Sequence, residues 1–416
     1  MFDGMRRNRR RRSMSKRRGR SSIGKSRRSS INVAPILKIA GLVVAVAGLA
    51  CVVIFLIVPW IKGEDLGKAE PTPTPTITAA PTPEPTPIAK DDMSAGVSEL
   101  KIEYKSINDP YVFGDEVVFS TGAPLQSQPE ISVIAVYDMI TQTTTEMPGI
   151  EKKYASLFEP KISENFIVYL DLKSEYGGNV MGYDRETGEM FVMREFLFGK
   201  PKVSLVGDYA LWMQQTSQTR DKLYLYHLPS RESTVIEVFK NTPFSVSTPH
   251  MSDGMLVYVQ PEGESNVLDG SSASTNAEIV VMPLTESGDS KKILFLPGTY
   301  VYDPMITGDY IVYLDGNADL TSNLMYCKKN GDTYTLPEKI TDGILNYAVG
   351  DGFVVYTKEK AVYIYYFADG SSGQLSGDTA SSRVMLGSAS GKQVVWYDIT
   401  DGFDSGVNIV QHITVP

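Results

Sequence analysis

The chain is 416 residues long, with 40 Lys or Arg, 49 Asp or Glu, a formal net charge of −9 and 42% hydrophobic residues. Two cysteines in this length exclude a disulfide-built scaffold and a cysteine-ligated zinc module, and the apolar content excludes a chain disordered throughout. The charge is so unevenly placed that its sum describes no single part of the molecule.

Residues 1–38 hold 14 Lys or Arg against one acid, Asp3. The next 20 residues, Ile39 to Val58, carry no charge and are long enough to cross a bilayer once as a helix. Pro59, Trp60 and Lys62 follow, residue types suited to the membrane interface. A cleaved signal peptide would have a shorter apolar run ending in small residues, whereas this one ends Phe55-Leu56-Ile57-Val58. The reading is a basic cytoplasmic tail (1–38) and an uncleaved transmembrane signal anchor (39–61), with everything after it extracytoplasmic at the plasma membrane. The tail is expected to rest on anionic lipid. It has no interleaved aromatics, so nucleic acid is not an expected partner. Residues 62–96 form a linker in which Pro71, Pro73, Pro75, Pro81, Pro83, Pro85 and Pro87 largely alternate with Thr. Such density favours extended polyproline II, a stalk reaching on the order of 55 Å over residues 71–88.

From residue 97 onward one phrase recurs seven times: a turn former or acid, three residues, an aliphatic residue and an aromatic. The turn residues are Gly114, Glu164, Gly207, Asp253, Gly308, Asp351 and Gly391, and the aromatics are Phe119, Tyr169, Trp212, Tyr258, Tyr313, Tyr356 and Trp396. A second apolar run follows each time, such as Val180 to Tyr183 or Leu223 to Tyr226, then a polar turn and a third run. Four short strands in about 45 residues are the arithmetic of a propeller blade. The expected fold is an all-β, seven-bladed β-propeller over 97–416. The seventh unit ends without room for a fourth strand. The unrepeated Leu100 to Ile107 is therefore expected to pair with Val407 to Ile413 and close the ring, since an open edge leaves backbone groups unpaired.

The distance from each aromatic to the next strand ranges from 6 residues (Tyr356 to Val362) to 21 (Tyr258 to Ile279), while the rest of the unit stays within 32 to 35. Length variation is thus concentrated in the loop between second and third strands. In a propeller these loops share one face, and variable loops on a rigid scaffold are where recognition concentrates. The binding candidates on that face are Asp171, Glu175, Tyr176, Asp315, Asn317, Asp319, Asp398, Asp401 and Asp404.

Catalytic signals are sparse. Three scattered histidines and Cys327 do not make a zinc site. Gly387-Ser388-Ala389-Ser390-Gly391 lacks a nucleophile elbow's central serine, and no phosphate loop is present. Asp315, Asn317 and Asp319 occupy positions 1, 3 and 5 of a calcium-type loop. Leu320 and Tyr326 then stand where that loop needs Gly and Glu, so this remains a weak metal candidate. No cofactor and no catalytic residue is expected. Cys327 stands where other repeats place Tyr and reads as a packed strand residue.

The phrase Gly308-Asp309-Tyr310-Ile311-Val312-Tyr313-Leu314-Asp315, with the turn Tyr183-Asp184-Arg185-Glu186-Thr187-Gly188, resembles the repeats of bacterial TolB-like propellers. The resemblance implies an extracytoplasmic, membrane-anchored, protein-binding propeller in a bacterium. The resulting expectation is a non-enzymatic module that recognises an extracytoplasmic protein or cell-envelope component. The alternative is a hydrolase or lyase working from the propeller's central face.

Overall fold

Each repeated phrase folds as a tight turn leading into the second strand of a four-stranded meander. Gly114, Gly207, Gly308 and Gly391 sit in these turns with φ between 51° and 55°, a left-handed conformation that glycine adopts without a Cβ clash. The computed structural model describes residues 88–89, 96–102, 104, 107–122, 131–151, 153–173, 176–217, 220–240, 247–252, 254–261, 277–284, 292–295, 300–316, 322–376, 384–398 and 408–416. The expected tail, transmembrane helix and nearly all of the stalk lie outside them. Among the described residues no helix is long and apolar enough to cross a membrane.

Blade two shows the pattern: Ser156–Ile162, Phe166–Leu172, Gly178–Asp184 and Met190–Phe196 pair antiparallel in sequence order. The first strands of the seven sheets are Asn108–Phe113, Ser156–Ile162, Val203–Val206, His250–Ser252, Tyr300–Thr307, Ile344–Gly350 and Val384–Ser390. They touch one another in cyclic order, the last returning to the first. This is the innermost ring of a seven-bladed β-propeller, as the repeats predict.

The core is divided into seven apolar clusters, one between each pair of adjacent blades. All seven repeat aromatics are buried, and each faces the preceding blade: Tyr169 packs with Val118 and Ile134 of blade one, and Trp212 with Val168 and Leu170 of blade two. The residue before each aromatic points the other way, because side chains alternate along a strand. Every blade thus presents an aromatic to one neighbour and aliphatics to the other.

Ring closure comes from Ser98–Ile102, which pairs antiparallel with Asn408–Thr414 and supplies the fourth strand of blade seven. The expected strand, 100–107, is displaced toward its N-terminal end. The chain turns after Ile102, where the Tyr104 amide donates to the Ile102 carbonyl. Tyr104 and Ile107 pack into the blade seven to blade one core instead. A two-residue strand, Ile88–Ala89, also pairs parallel with the outer strand of blade six.

Candidate functional site

Loops joining second to third strands, and loops leaving one blade for the next, emerge on the same face. Glu175, Asn317, Asp319, Asp401 and Asp404 lie outside the described residues. So does the side chain of Asp398, which ends the strand Gln393–Asp398.

Asp171 and Asp315 do not sit in loops. Each stands two residues beyond its repeat aromatic, at the end of the second strand, on the side that faces the preceding blade. Asp171 is buried, and its two oxygens accept the amide hydrogens of Lys153 and Tyr154 at 2.8 and 3.0 Å. Gln214 holds the same position in blade three and donates to the Glu195 carbonyl at 3.1 Å. Lys358 holds it in blade six and reaches Thr341 and Asp342 at 3.1 and 3.0 Å. This position ties a blade to the last strand of its predecessor or to the loop that leaves it, and the two-residue spacing from the aromatic is the signal that reveals it. Asp315 keeps one buried oxygen without a hydrogen bond, and burial raises its carboxyl above the usual range.

Tyr176, by contrast, stands 81% exposed at the rim of a cleft of about 380 Å³. Ser156, Phe158, Lys173, Phe196 and Lys200 also line this cleft. Gly177 has φ +81°, and a Cβ there would lie 2.6 Å from the Phe196 carbonyl oxygen, so only glycine lets this loop approach the blade's last strand. Lys173 Nζ lies 3.0 Å from Glu195, a hydrogen bond that raises the lysine pKa. Lys200 Nζ lies 2.6 Å from Glu159. Leu197 and Phe198, next along the same loop, are 58% and 38% exposed. The described part of the blade-two loop face therefore carries an exposed tyrosine and two lysines, each paired with a glutamate.

A second group of side chains occupies one repeated position on the innermost strands. The third residue before each turn is Tyr111, Lys161, Ser204, His250, Met305, Ala348 or Ser388, on the innermost strands. Three of these accept an amide hydrogen from the following blade: Ser388 from Val112 (2.7 Å), Ser204 from Met251 (3.3 Å) and His250 Nδ1 from Ile306 (3.3 Å). Two residues earlier are Asp109, Glu159 and Asp303, each before a proline with φ of 51°, 49° and 47°, at a bulge where pairing shifts register. Asp109 accepts the Glu159 amide hydrogen at 3.1 Å and Asp303 that of Thr248 at 2.6 Å, so these carboxylates join neighbouring blades. Lys202 Nζ lies 3.9 Å from Asp303. None of these residues was among the candidates above. The signal that finds them is an acid followed by proline, repeated in the first strand of three blades.

Burial shifts the titratable groups on these innermost strands. It holds His250 down at about 4, with the Lys161 charge adding to the effect. It also lowers Lys161 against the opposing pull of Glu159 and Asp109, and raises Tyr111 to about 12. Among the described residues no group of three or more His, Cys, Asp or Glu is placed to hold a metal ion.

Fold and surface together define a seven-bladed propeller, closed by an N-terminal strand, with a cleft on its variable-loop face. No family model and no curated protein sequence matches the chain. Among solved structures it is similar to the β-propeller domain of the Trilobed protease from Pyrococcus furiosus, at 16% identity and a TM-score of 0.51, over 74% of this chain and 91% of that one. That propeller is described as having an open velcro topology, whereas here strand Ser98–Ile102 closes the ring. Oligogalacturonate lyase in complex with manganese aligns at 12% identity and a TM-score of 0.50, covering 79% of this chain and 95% of that one. TolB from Acinetobacter baumannii is also a neighbour, at 12% identity and a TM-score of 0.43, over 63% and 67%.

Proposed function

We propose that the chain is a non-enzymatic recognition or assembly module that binds an extracytoplasmic protein or cell-envelope component through its variable-loop face. In this reading the segment at 39–61 anchors it in the plasma membrane, the basic tail stays inside on anionic lipid, and the stalk sets the reach of the propeller. Fold relatives include a lyase, so the reading rests on the surface of this chain and not on its fold. The observation that carries it is the cleft of blade two, with the exposed Tyr176 in its lining, and the exposed Leu197 and Phe198 that follow its lining residue Phe196 in the chain. Rigid aromatic anchors beside a pocket are the usual source of binding energy at protein interfaces, and clustered exposed apolar side chains mark interaction sites.

The test is affinity capture from native membranes with the full chain, run beside Tyr176→Ser and a variant whose blade-two loop, residues 173–177, is replaced by a Gly/Ser turn. A partner held by the wild type and lost from both variants is the expected result. Equal capture by all three chains sinks the reading and turns attention to hydrolase or lyase activity at the central face.

A further inference from the structure

The fourth strand of each blade is its outer edge, where one row of backbone groups faces away from the sheet. Charged side chains are a common guard of such an edge against added strands. Six of the seven outer strands carry one or more: Glu146, Glu195, Glu237, Lys292 and Glu338 in blades one to five, and Lys101 in the closing strand of blade seven. The outer strand of blade six, Ser371–Gln374, reads Ser-Ser-Gly-Gln and carries none. Among the described residues it is also the one outer strand with a further strand laid on it, Ile88–Ala89.

The two strands suit each other. On the propeller side, the Leu375 amide donates to the Val362 carbonyl of the neighbouring strand at 2.8 Å. Backbone groups alternate in direction along a strand, so those of Ser372 turn outward, toward its register partner Ala89. The start of the strand is fixed by Asp369, which accepts the Ser371 amide and hydroxyl hydrogens at 3.0 and 2.6 Å. On the incoming side, Ile88 directly follows Pro87, the last of the alternating prolines. Proline has no amide hydrogen to give to a ladder, so pairing starts where the proline repeat stops. The pairing is parallel, Ile88 with Ser371 and Ala89 with Ser372. Strand Ser371–Gln374 begins at the tight turn after Tyr366 and runs toward the variable-loop face. A parallel strand shares that direction, so the chain comes onto blade six at its turn-face end.

We propose that the outer edge of blade six is a strand-addition site whose occupant is this chain's own linker segment at Ile88–Ala89. Main-chain hydrogen bonds of this kind hold an extended segment with little demand on its side chains. The consequence is a fixed point of entry: the linker joins the propeller beside blade six on the turn face, opposite the variable loops, and leaves the loop face clear. The contact does not rest on the recognition reading, since the strand and its direction are the same whatever the loops bind.

The experiment is disulfide trapping on the full chain in detergent, with Cys51→Ser and the buried Cys327 retained. Paired strands lie about 4.8 Å apart, a separation that a disulfide spans. Ala89→Cys with Ser372→Cys, the register partners, is therefore expected to crosslink under mild oxidation, read by mass spectrometry of the linked peptides. Ile88→Cys with Gln374→Cys is expected to stay reduced, because Gln374 stands three steps beyond the partner of Ile88, about 10 Å along the strand. No crosslink in either pair overturns the site, and equal yields in both mean a segment passing loosely over the edge, which refutes it as well. Crosslinking of the second pair alone means entry from the loop face and overturns the point of entry. Hydrogen exchange on the unaltered chain is the second reading: the outward Ser372 amide is expected to exchange more slowly than the outward amides of Thr143–Glu146, on which no further strand lies among the described residues. Equal rates there count against the added strand.

Discussion

Ser98 stands opposite His412 in the last strand pair of the ring, its Oγ 3.2 Å from His412 Nδ1 across 314 residues of sequence. This pairing joins the start of the propeller to its end, so blade seven depends on both. Leu100 and Ile102 of the closing strand are buried between blades seven and one. Ile102→Ala is expected to cost about 2–5 kcal/mol, the range for deleting a well-packed aliphatic side chain. Denaturant unfolding measures the loss, and hydrogen exchange should show Asn408–Thr414 losing protection before the strands of blades two to five. Uniform loss of protection would mean that closure is not the weakest seam.

Asp171 holds the loop between blades one and two by accepting the amide hydrogens of Lys153 and Tyr154. Asp171→Ala leaves both donors without their acceptor and should lower stability by about 1–3 kcal/mol. Asp171→Asn keeps one acceptor oxygen and should lose less. Should Asp171→Ala prove as stable as the wild type in a thermal melt while partner capture fails, the residue would belong to the binding surface and not to the scaffold.

Burial pushes the His250 imidazole down to about 4 in the folded chain, below the ordinary histidine value near 6.5. Above pH 6.5 it is neutral in folded and unfolded chains alike, and its effect on stability is constant. As pH falls from 6.5 toward 4 the unfolded chain takes up a proton that the folded chain does not, so stability falls through that window by an amount on the order of 3 kcal/mol. His250→Asn keeps an acceptor for the Ile306 amide and should flatten this part of the stability profile. An unchanged slope in the variant would assign the dependence to another group.

Cys327 is fully buried on the third strand of blade five, and burial pushes its thiol up to about 12. The thiolate is the reactive form, so native protein at pH 8 should resist alkylation at Cys327 while the denatured chain is modified at once. Peptide mass spectrometry after brief iodoacetamide treatment distinguishes the two. Rapid labelling of the native chain would contradict the packed-residue reading.

The blade count, the phase of each strand and the positions of the seven aromatics are legible in the sequence because they rest on local rules. A turn residue fixes where a strand begins, and alternation fixes which side chains share a face. The same rule was sufficient to place Asp171 on the aromatic side of its strand, yet its acidity suggested a solvated loop. The closing partner could be inferred from a missing fourth strand, but its register could not, because pairing Ser98 with His412 depends on where the chain turns at Ile102 to Tyr104.

What only the tertiary structure decides is which distant residues meet. Lys161 over Tyr111, or Asp303 bonded to Thr248 of the previous blade, are contacts between separate repeats. Each repeat specifies its own blade by local periodicity. The inter-blade ties exist only once seven blades have closed around one axis, which brings one strand position of every repeat into a single ring.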